Sequence, residues 1–151
     1  MDNKVKQVIV TVTSMILIFV FYSIYVYNHH IAGDPEIIND FGFWGKMFLI
    51  LIPVTIVAQI VIHIIFAIIN KAVTNEDFET KSDERDKLIN LKSIQVSHYI
   101  FTAGFLLAMV SQVVGMQPYV MFLTLVGTGF ISGIVSELAK ICYYRRGVRY
   151  E

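Results

Sequence analysis

Four long apolar stretches constrain this 151-residue chain more than any other feature of its sequence. They lie approximately at residues 7–27, 47–69, 94–115 and 118–142. Each has the roughly 20 residues that a helix needs to cross about 30 Å of hydrocarbon. Because bare peptide groups cannot be hydrated inside a bilayer, such stretches cross it as helices. The sequence therefore predicts an all-α polytopic membrane protein, with four transmembrane helices packed as one bundle in a single transmembrane domain.

The charged residues are confined to the segments around these stretches. They make up only 16% of the chain, below the roughly 25% of soluble domains, and lie before residue 7, at 34–46, at 71–92 and from 137 onwards. The formal net charge is zero, whereas nucleic-acid binding needs clustered positive charge outside the membrane. We therefore expect the lipid bilayer, and no nucleic acid, as a partner. Cys142 is the only cysteine, which excludes an intramolecular disulfide.

The basic residues are distributed asymmetrically about the four stretches. If both termini share one side with the 71–93 loop, only Lys46 of the twelve Lys and Arg residues lies on the other side. The remaining eleven are Lys4, Lys6, Lys71, Lys81, Arg85, Lys87, Lys92, Lys140, Arg145, Arg146 and Arg149. The positive-inside rule then predicts an N-in, C-in topology with a cytoplasmic 71–93 loop.

The two longer loops carry helix-start signals. Asp34 followed by Pro35 predicts a short helix near 35–41 on the outer side, with Trp44 placed to anchor the second span at the membrane surface. In the cytoplasmic loop, Thr80 followed by Asp83 predicts a third helix that begins before the membrane, near residue 82. Its charged start and the basic tail are predicted to contact partner proteins or anionic lipid headgroups. The residues concerned are Asp83, Glu84, Arg85, Lys87, Arg145, Arg146 and Arg149.

Two short motifs in the second half of the chain carry a resemblance. The run DERDKLI at 83–89 leads into the third span, and YYRRGV at 143–148 ends the fourth. Together they resemble the short four-span prokaryotic membrane proteins of unknown function. The resemblance implies the same architecture in a bacterial cytoplasmic (inner) membrane. Such proteins carry no assigned catalytic residues, so the resemblance transfers no site.

Polar and small residues recur at spacings of three or four along the apolar stretches, which places them on continuous helix faces. Such faces let helices approach closely and hydrogen-bond within a membrane. Gly129 and Gly133 form a GxxxG pair of this type. The other members are Thr11 and Ser14 in the first stretch, Thr55, Gln59, His63, Ala67 and Lys71 along the second, Ser97, Gly104, Ala108, Ser111 and Gly115 in the third, and Thr124, Thr128, Ser132, Ser136, Glu137 and Lys140 in the fourth. We expect these faces to meet inside the bundle.

Three ionisable residues, His63, His98 and Glu137, fall at one predicted depth, about 8–10 Å from the cytoplasmic ends of their helices. Such groups are costly in hydrocarbon and normally find partners inside a bundle. In one interpretation Glu137 pairs with Lys140 and the histidines hydrogen-bond to hydroxyls. In another the three form a proton- or cation-handling site beside Lys140 and Gln59, since histidine titrates near neutral pH. A transition metal is a third interpretation, weakened because no two of the three share a helix at i,i+3 or i,i+4 spacing.

The sequence lacks the motifs of soluble enzymes: it has no phosphate-binding glycine loop, no HExxH and no nucleophile elbow. We therefore expect no enzymatic activity, no cofactor and no metal. The leading hypothesis is a small integral membrane protein that acts through assembly or partner contacts, as a homo-oligomer or with a membrane or cytoplasmic protein. The alternative is a small oligomeric proton- or cation-coupled transporter.

Overall fold

The computed structural model describes residues 3–74 and 83–146, and every regular element within these ranges is a helix. The long helices are α1 (Asn3–Val26), α2 (Phe41–Thr74), α3 (Glu84–Val113) and α4 (Pro118–Arg146). All four are long and apolar enough to cross a membrane. The predicted all-α fold with four candidate membrane-spanning helices is confirmed.

α3 begins at a reciprocal cap that explains its sharp start. The Asp83 carboxylate accepts a hydrogen bond from the Glu84 backbone N–H at 2.7 Å, and the Asp86 carboxylate accepts one from the Asp83 backbone N–H at 3.2 Å. Together they satisfy N–H groups that have no partner within the helix. The helix then runs unbroken for 30 residues, about 45 Å at 1.5 Å per residue. The predicted start near residue 82 is close to the observed one, and Thr80 lies outside the described residues.

The chain between α1 and α2 forms the end of the bundle that we call the aromatic end, residues 27–44 together with 114–117. α1 continues into one π-helical turn, Tyr27–Ile31, and a 3-10 helix follows at Pro35–Asn39. Asp34 caps this short helix by accepting from the Glu36 N–H at 3.2 Å. The predicted short helix after Asp34 is confirmed.

Trp44 lies in the core of the aromatic end, although the sequence predicted an anchor of the second span at the membrane surface. Only 5% of its surface is exposed, and it packs with the buried Val26 and Met47. Its indole N–H donates to the Ile38 carbonyl oxygen at 2.7 Å, and its ring stacks on Phe122 of α4 at 6.4 Å between centroids. The prediction was wrong because the folded loop supplies the indole with a backbone acceptor, so the ring needs no contact with the membrane surface.

α4 is the central helix of the arrangement. It packs against α3 most extensively, against α1 next, and against α2 over a shorter length. α1 also packs against α2, whereas the described backbones of α2 and α3 do not approach each other. α3 is therefore an edge helix, which uses one face for α4 and leaves the opposite face uncovered by the other described helices.

α3 packs closely on α4 at Gly104. Its neighbours on the same face, Ala108 and Ser111, are also buried. A methyl group added to Gly104 would overlap the side chain of Thr128, so only glycine allows this approach. On α4, a Cβ on Gly129 would lie 4.0 Å from the Phe101 ring of α3, and one on Gly133 would meet the end of a flexible α1 methionine. The predicted small-residue faces of α3 and α4 therefore meet at Gly104. The two glycines of the GxxxG pair, however, face different helices: Gly129 faces α3 and Gly133 faces α1.

Candidate functional site

A polar seam joins α1 and α2. Thr11 Oγ1 lies 3.3 Å from His63 Nε2, and Ser14 Oγ lies 3.3 Å from the side-chain amide of Gln59. The spacing of three residues in α1 and four in α2 brings each hydroxyl opposite one partner. The seam therefore consists of four of the polar residues that were predicted to lie in the bundle interior, and the structure pairs them one to one.

The hydroxyl protons of this seam are used within α1. Thr11 donates to the Gln7 carbonyl oxygen at 2.9 Å, and Ser14 donates to the Thr11 carbonyl oxygen at 2.9 Å. A hydroxyl has one proton, so both oxygens act as acceptors toward α2. The Gln59 amide can donate to the Ser14 oxygen when its N–H₂ group faces the hydroxyl. This orientation differs from the one with the amide oxygen facing the hydroxyl only by a 180° rotation of the side-chain amide. The same argument makes His63 Nε2 a donor to Thr11.

His63 consequently keeps Nδ1 as its second, acceptor nitrogen in the neutral ring. This atom is buried, and no described residue forms a hydrogen bond with it. A buried nitrogen without a partner carries a desolvation cost of roughly 1–3 kcal/mol. Of the predicted site residues, His63 and Gln59 thus keep unused hydrogen-bonding capacity inside the protein, because the second polar atom of the Gln59 amide is likewise buried without a partner among the described residues.

Glu137 and Lys140 form an ion pair within α4. Lys140 Nζ donates to Glu137 Oε1 at 2.6 Å, and the side chains are only 18% and 21% exposed for Glu137 and Lys140 respectively. The two residues are one helical turn apart, so the contact needs no other helix. This geometry corresponds to the interpretation in which the carboxylate is satisfied locally.

His98 lies on the exposed side of α3, away from the α4 interface. Because the described backbones of α2 and α3 do not approach each other, the structure does not bring His63 and His98 together. Within residues 3–74 and 83–146, no group of three or more His, Cys, Asp or Glu residues has a geometry that could hold a metal ion. His63 and His98 were predicted to lie at the same depth in the membrane, but this did not bring them together. The depth of a residue gives its position along the helix axis and not the direction in which its side chain points.

The opposite end of the bundle, where α1 and α3 begin and α4 ends, carries a cluster that we call the charged clamp. Its members are Lys4, Asp86 and Tyr144. Lys4 forms an ion pair with Asp86, and the Tyr144 hydroxyl donates to Asp86 Oδ1 at 3.1 Å. Arg85 adds a contact to the Tyr144 carbonyl oxygen at 3.4 Å. The clamp thus links the ends of three helices through one carboxylate.

Asp86 lies in the charged first turn of α3, before the apolar part of that helix begins. Partial burial alone would raise the pKa of its carboxyl group. The hydrogen bonds from Lys4, from the Asp83 backbone and from Tyr144, together with the positive charge of Lys4, outweigh that effect and lower the pKa below its usual value. The clamp therefore favours the ionised carboxylate.

The sequence identified the region of the clamp but none of its members. It identified Asp83 as a contact residue, whereas the Asp83 side chain caps α3. Glu84, Arg85 and Lys87 are exposed around the clamp, as is Arg145 at the end of α4. The side chains of Arg146 and Arg149 lie outside the described part of the chain. One signal pointed to Asp86: an acidic residue three positions after a helix cap is the partner in a reciprocal cap.

Comparisons with known proteins add no assignment to this geometry. No family model, no curated protein and no solved structure matches the chain. The resemblance to four-span prokaryotic proteins therefore stays a prediction.

Proposed function

We propose that this chain is a non-enzymatic integral membrane protein that acts through protein contacts at its charged end. The proposal includes an N-in, C-in orientation in a bacterial cytoplasmic membrane, which the asymmetry of basic residues supports. In that orientation the charged clamp and the residues around it face the cytoplasm. The contacting partner is then a cytoplasmic protein or the cytoplasmic part of another membrane protein.

The observation that carries this proposal is the linkage of three helices at the charged end. The clamp holds α1, α3 and α4 together at Asp86, while Glu84, Arg85 and Lys87 remain exposed on the first turn of α3. An ordered set of charges of both signs is suited to specific recognition, because its partner must present a complementary arrangement. Between this end and the aromatic end, the surface of the four long helices is dominated by large apolar side chains.

Photo-crosslinking in native membranes tests this proposal directly. A photoreactive residue in place of Lys87 is expected to yield a discrete adduct with a cytoplasmic or membrane protein. The same residue in place of Lys46, which is exposed on α2 next to the aromatic end, is the matched control and is expected to yield none. Arg85→Glu combined with Lys87→Glu should abolish the adduct formed from a neighbouring exposed position, Glu84. Identical products from positions 87 and 46, or no product from position 87, would contradict the proposal.

A proton- or cation-coupled transporter is the second candidate, favoured by the buried and unused Nδ1 of His63. Since His98 lies elsewhere, the candidate reduces to His63 and Gln59 in the α1–α2 seam, together with the Glu137–Lys140 pair of α4.

Proteoliposome flux measurements test this candidate. His63→Gln keeps a donor for Thr11 but removes the imidazole ring, so it is expected to lower proton-coupled flux by about a hundredfold or more, the lower end of the effects of a lost proton-transfer group. His98→Gln is the matched control and should leave the flux unchanged. Flux equal to that of protein-free vesicles, or unchanged flux in His63→Gln, would exclude transport through this seam.

A further inference from the structure

The uncovered face of α3 carries a stripe of polar side chains. Gln95, His98, Tyr99 and Thr102 are all exposed, and Tyr99 has 65% of its surface accessible. At 100° per residue they lie on the side of the helix opposite the buried Gly104, which faces α4. We call these four residues the α3 polar stripe. It extends for about 10 Å along the apolar part of the helix, so it faces hydrocarbon in an isolated copy of the chain.

The membrane-facing surface of α2 does not share this pattern. α2 directs its polar residues Thr55, Gln59 and His63 away from its most exposed face. Between residues 49 and 69 its large exposed side chains are all aliphatic. α2 thus follows the rule that polar groups of a membrane helix face the protein interior. α3 of the same chain does not follow this rule.

The stripe satisfies only part of its own hydrogen-bonding capacity. The Gln95 amide N–H donates to the Tyr99 hydroxyl at 3.3 Å. No described residue forms a side-chain hydrogen bond with His98 or Thr102. Polar groups left without partners in hydrocarbon carry a free-energy cost that association of helices removes. Exposed Leu91 and Leu106 continue the same face on either side, so the stripe lies within a longer apolar surface.

We propose that the α3 polar stripe is the interface between two copies of this chain, related by a two-fold axis along the membrane normal. Copies inserted with the same orientation present parallel α3 helices, and a two-fold axis between them brings each residue near its own counterpart. Gln95 and Thr102 lie at the centre of the contact, and His98 and Tyr99 lie on its two sides. This interface is inside the membrane and does not depend on the function proposed for the charged end.

The chemistry of the stripe identifies a second copy as its occupant. All four side chains can both donate and accept a hydrogen bond, and none is an acid, a lysine or an arginine. Two facing Gln95 amides can exchange a reciprocal pair of hydrogen bonds, and two Thr102 hydroxyls can donate one to the other. A set that is complementary to itself is what a two-fold contact requires, whereas a charged stripe would require a different, oppositely charged helix.

Cysteine crosslinking tests the position of this interface. With Cys142→Ser as background the chain has no other cysteine, and Gln95→Cys and Thr102→Cys should each form disulfide-linked dimers efficiently in membranes treated with a mild oxidant. Ile64→Cys is the matched control, because Ile64 is exposed on α2 and lies at a comparable distance from the charged end. Dimer formation at position 64 equal to that at 95 and 102 would overturn the proposal.

Energy transfer between labelled copies in lipid vesicles tests the role of the polar groups. Replacing Gln95 and His98 by Leu and Thr102 by Val is expected to raise the protein-to-lipid ratio at half-association by about tenfold or more, since each interhelical hydrogen bond contributes modestly. His98→Gln keeps a donor and an acceptor and should associate like the unmodified chain. Because the stripe faces away from α4, the thermal stability of each variant in detergent should be unchanged, which separates lost association from misfolding.

Three further results would overturn the proposal. The first is that the unmodified chain is monomeric at every protein-to-lipid ratio, and the second is that the apolar variant associates as strongly as the unmodified chain. The third is that position 95 crosslinks in native membranes to a different membrane protein while no dimer forms.

Discussion

Gly104→Ala is expected to lower the free energy of unfolding by about 3 kcal/mol, at the upper end of the usual cost of overpacking a core. The added methyl group would overlap the Thr128 side chain, within the most extensive helix contact among the described residues. Thr128 cannot easily move away, because its hydroxyl donates to the Thr124 carbonyl oxygen within α4. Titration with a denaturing detergent, followed by the fluorescence of Trp44, the only tryptophan, measures the loss.

The chain offers a matched control and a rescue for this prediction. Gly127 has no neighbouring atom within 4 Å of an added Cβ, so Gly127→Ala is expected to be neutral or stabilising by up to about 1 kcal/mol through helix propensity. Thr128→Gly removes the overlapping atoms and should restore most of the stability lost in Gly104→Ala. Equal stability of the two single alanine variants would show that the α3–α4 contact is looser than the structure indicates.

Asp86→Ala is expected to cost about 2 kcal/mol, between the cost of a lost helix cap and that of a broken buried ion pair. The substitution removes the acceptor shared by Lys4, Tyr144 and the Asp83 backbone N–H. Because these groups belong to α1, α4 and the start of α3, the charged end should separate before the aromatic end does. Hydrogen exchange of the backbone amides near residues 84–88, compared with those near Trp44, measures this local opening.

Acid should remove part of the same contribution. The pKa of the Asp86 carboxyl group is lower in the folded chain than in the unfolded chain, so the folded state binds fewer protons and the stabilisation is fully present above the ordinary Asp pKa of about 3.9. It decreases as the pH falls through the lower, folded pKa. Asp86→Asn lacks this titration, so the difference in stability between it and the unmodified chain should shrink toward acid pH.

Glu84→Gln is the control for both experiments on Asp86. Glu84 lies in the same first turn and carries the same charge, but its side chain is exposed and takes no part in the clamp. Its substitution should change the free energy of unfolding by no more than about 0.5 kcal/mol. A loss in Glu84→Gln as large as that in Asp86→Ala would mean that the general charge of the turn, and not the clamp, stabilises this end.

The predicted and observed candidate sites differ in a way that follows from helix geometry. Spacing along one chain relates residues of the same helix, so the Glu137–Lys140 pair, the capping residue Asp83 and the small-residue face of Gly104 were all accessible to prediction. Relations between helices depend on how each helix is rotated about its axis. His63 and His98 share a depth, yet one points toward α1 and the other away from α4.

The sequence by itself determined that four stretches become helices and that all are apolar enough to cross a membrane, because peptide groups in hydrocarbon must be satisfied within each segment. It also determined the close approach of α3, since glycine and alanine allow it. Only the tertiary structure decided that Asp86 links three helices, that Trp44 is buried and that the polar stripe of α3 faces outward. Each of these depends on contacts between residues far apart in the chain, which local periodicity does not encode.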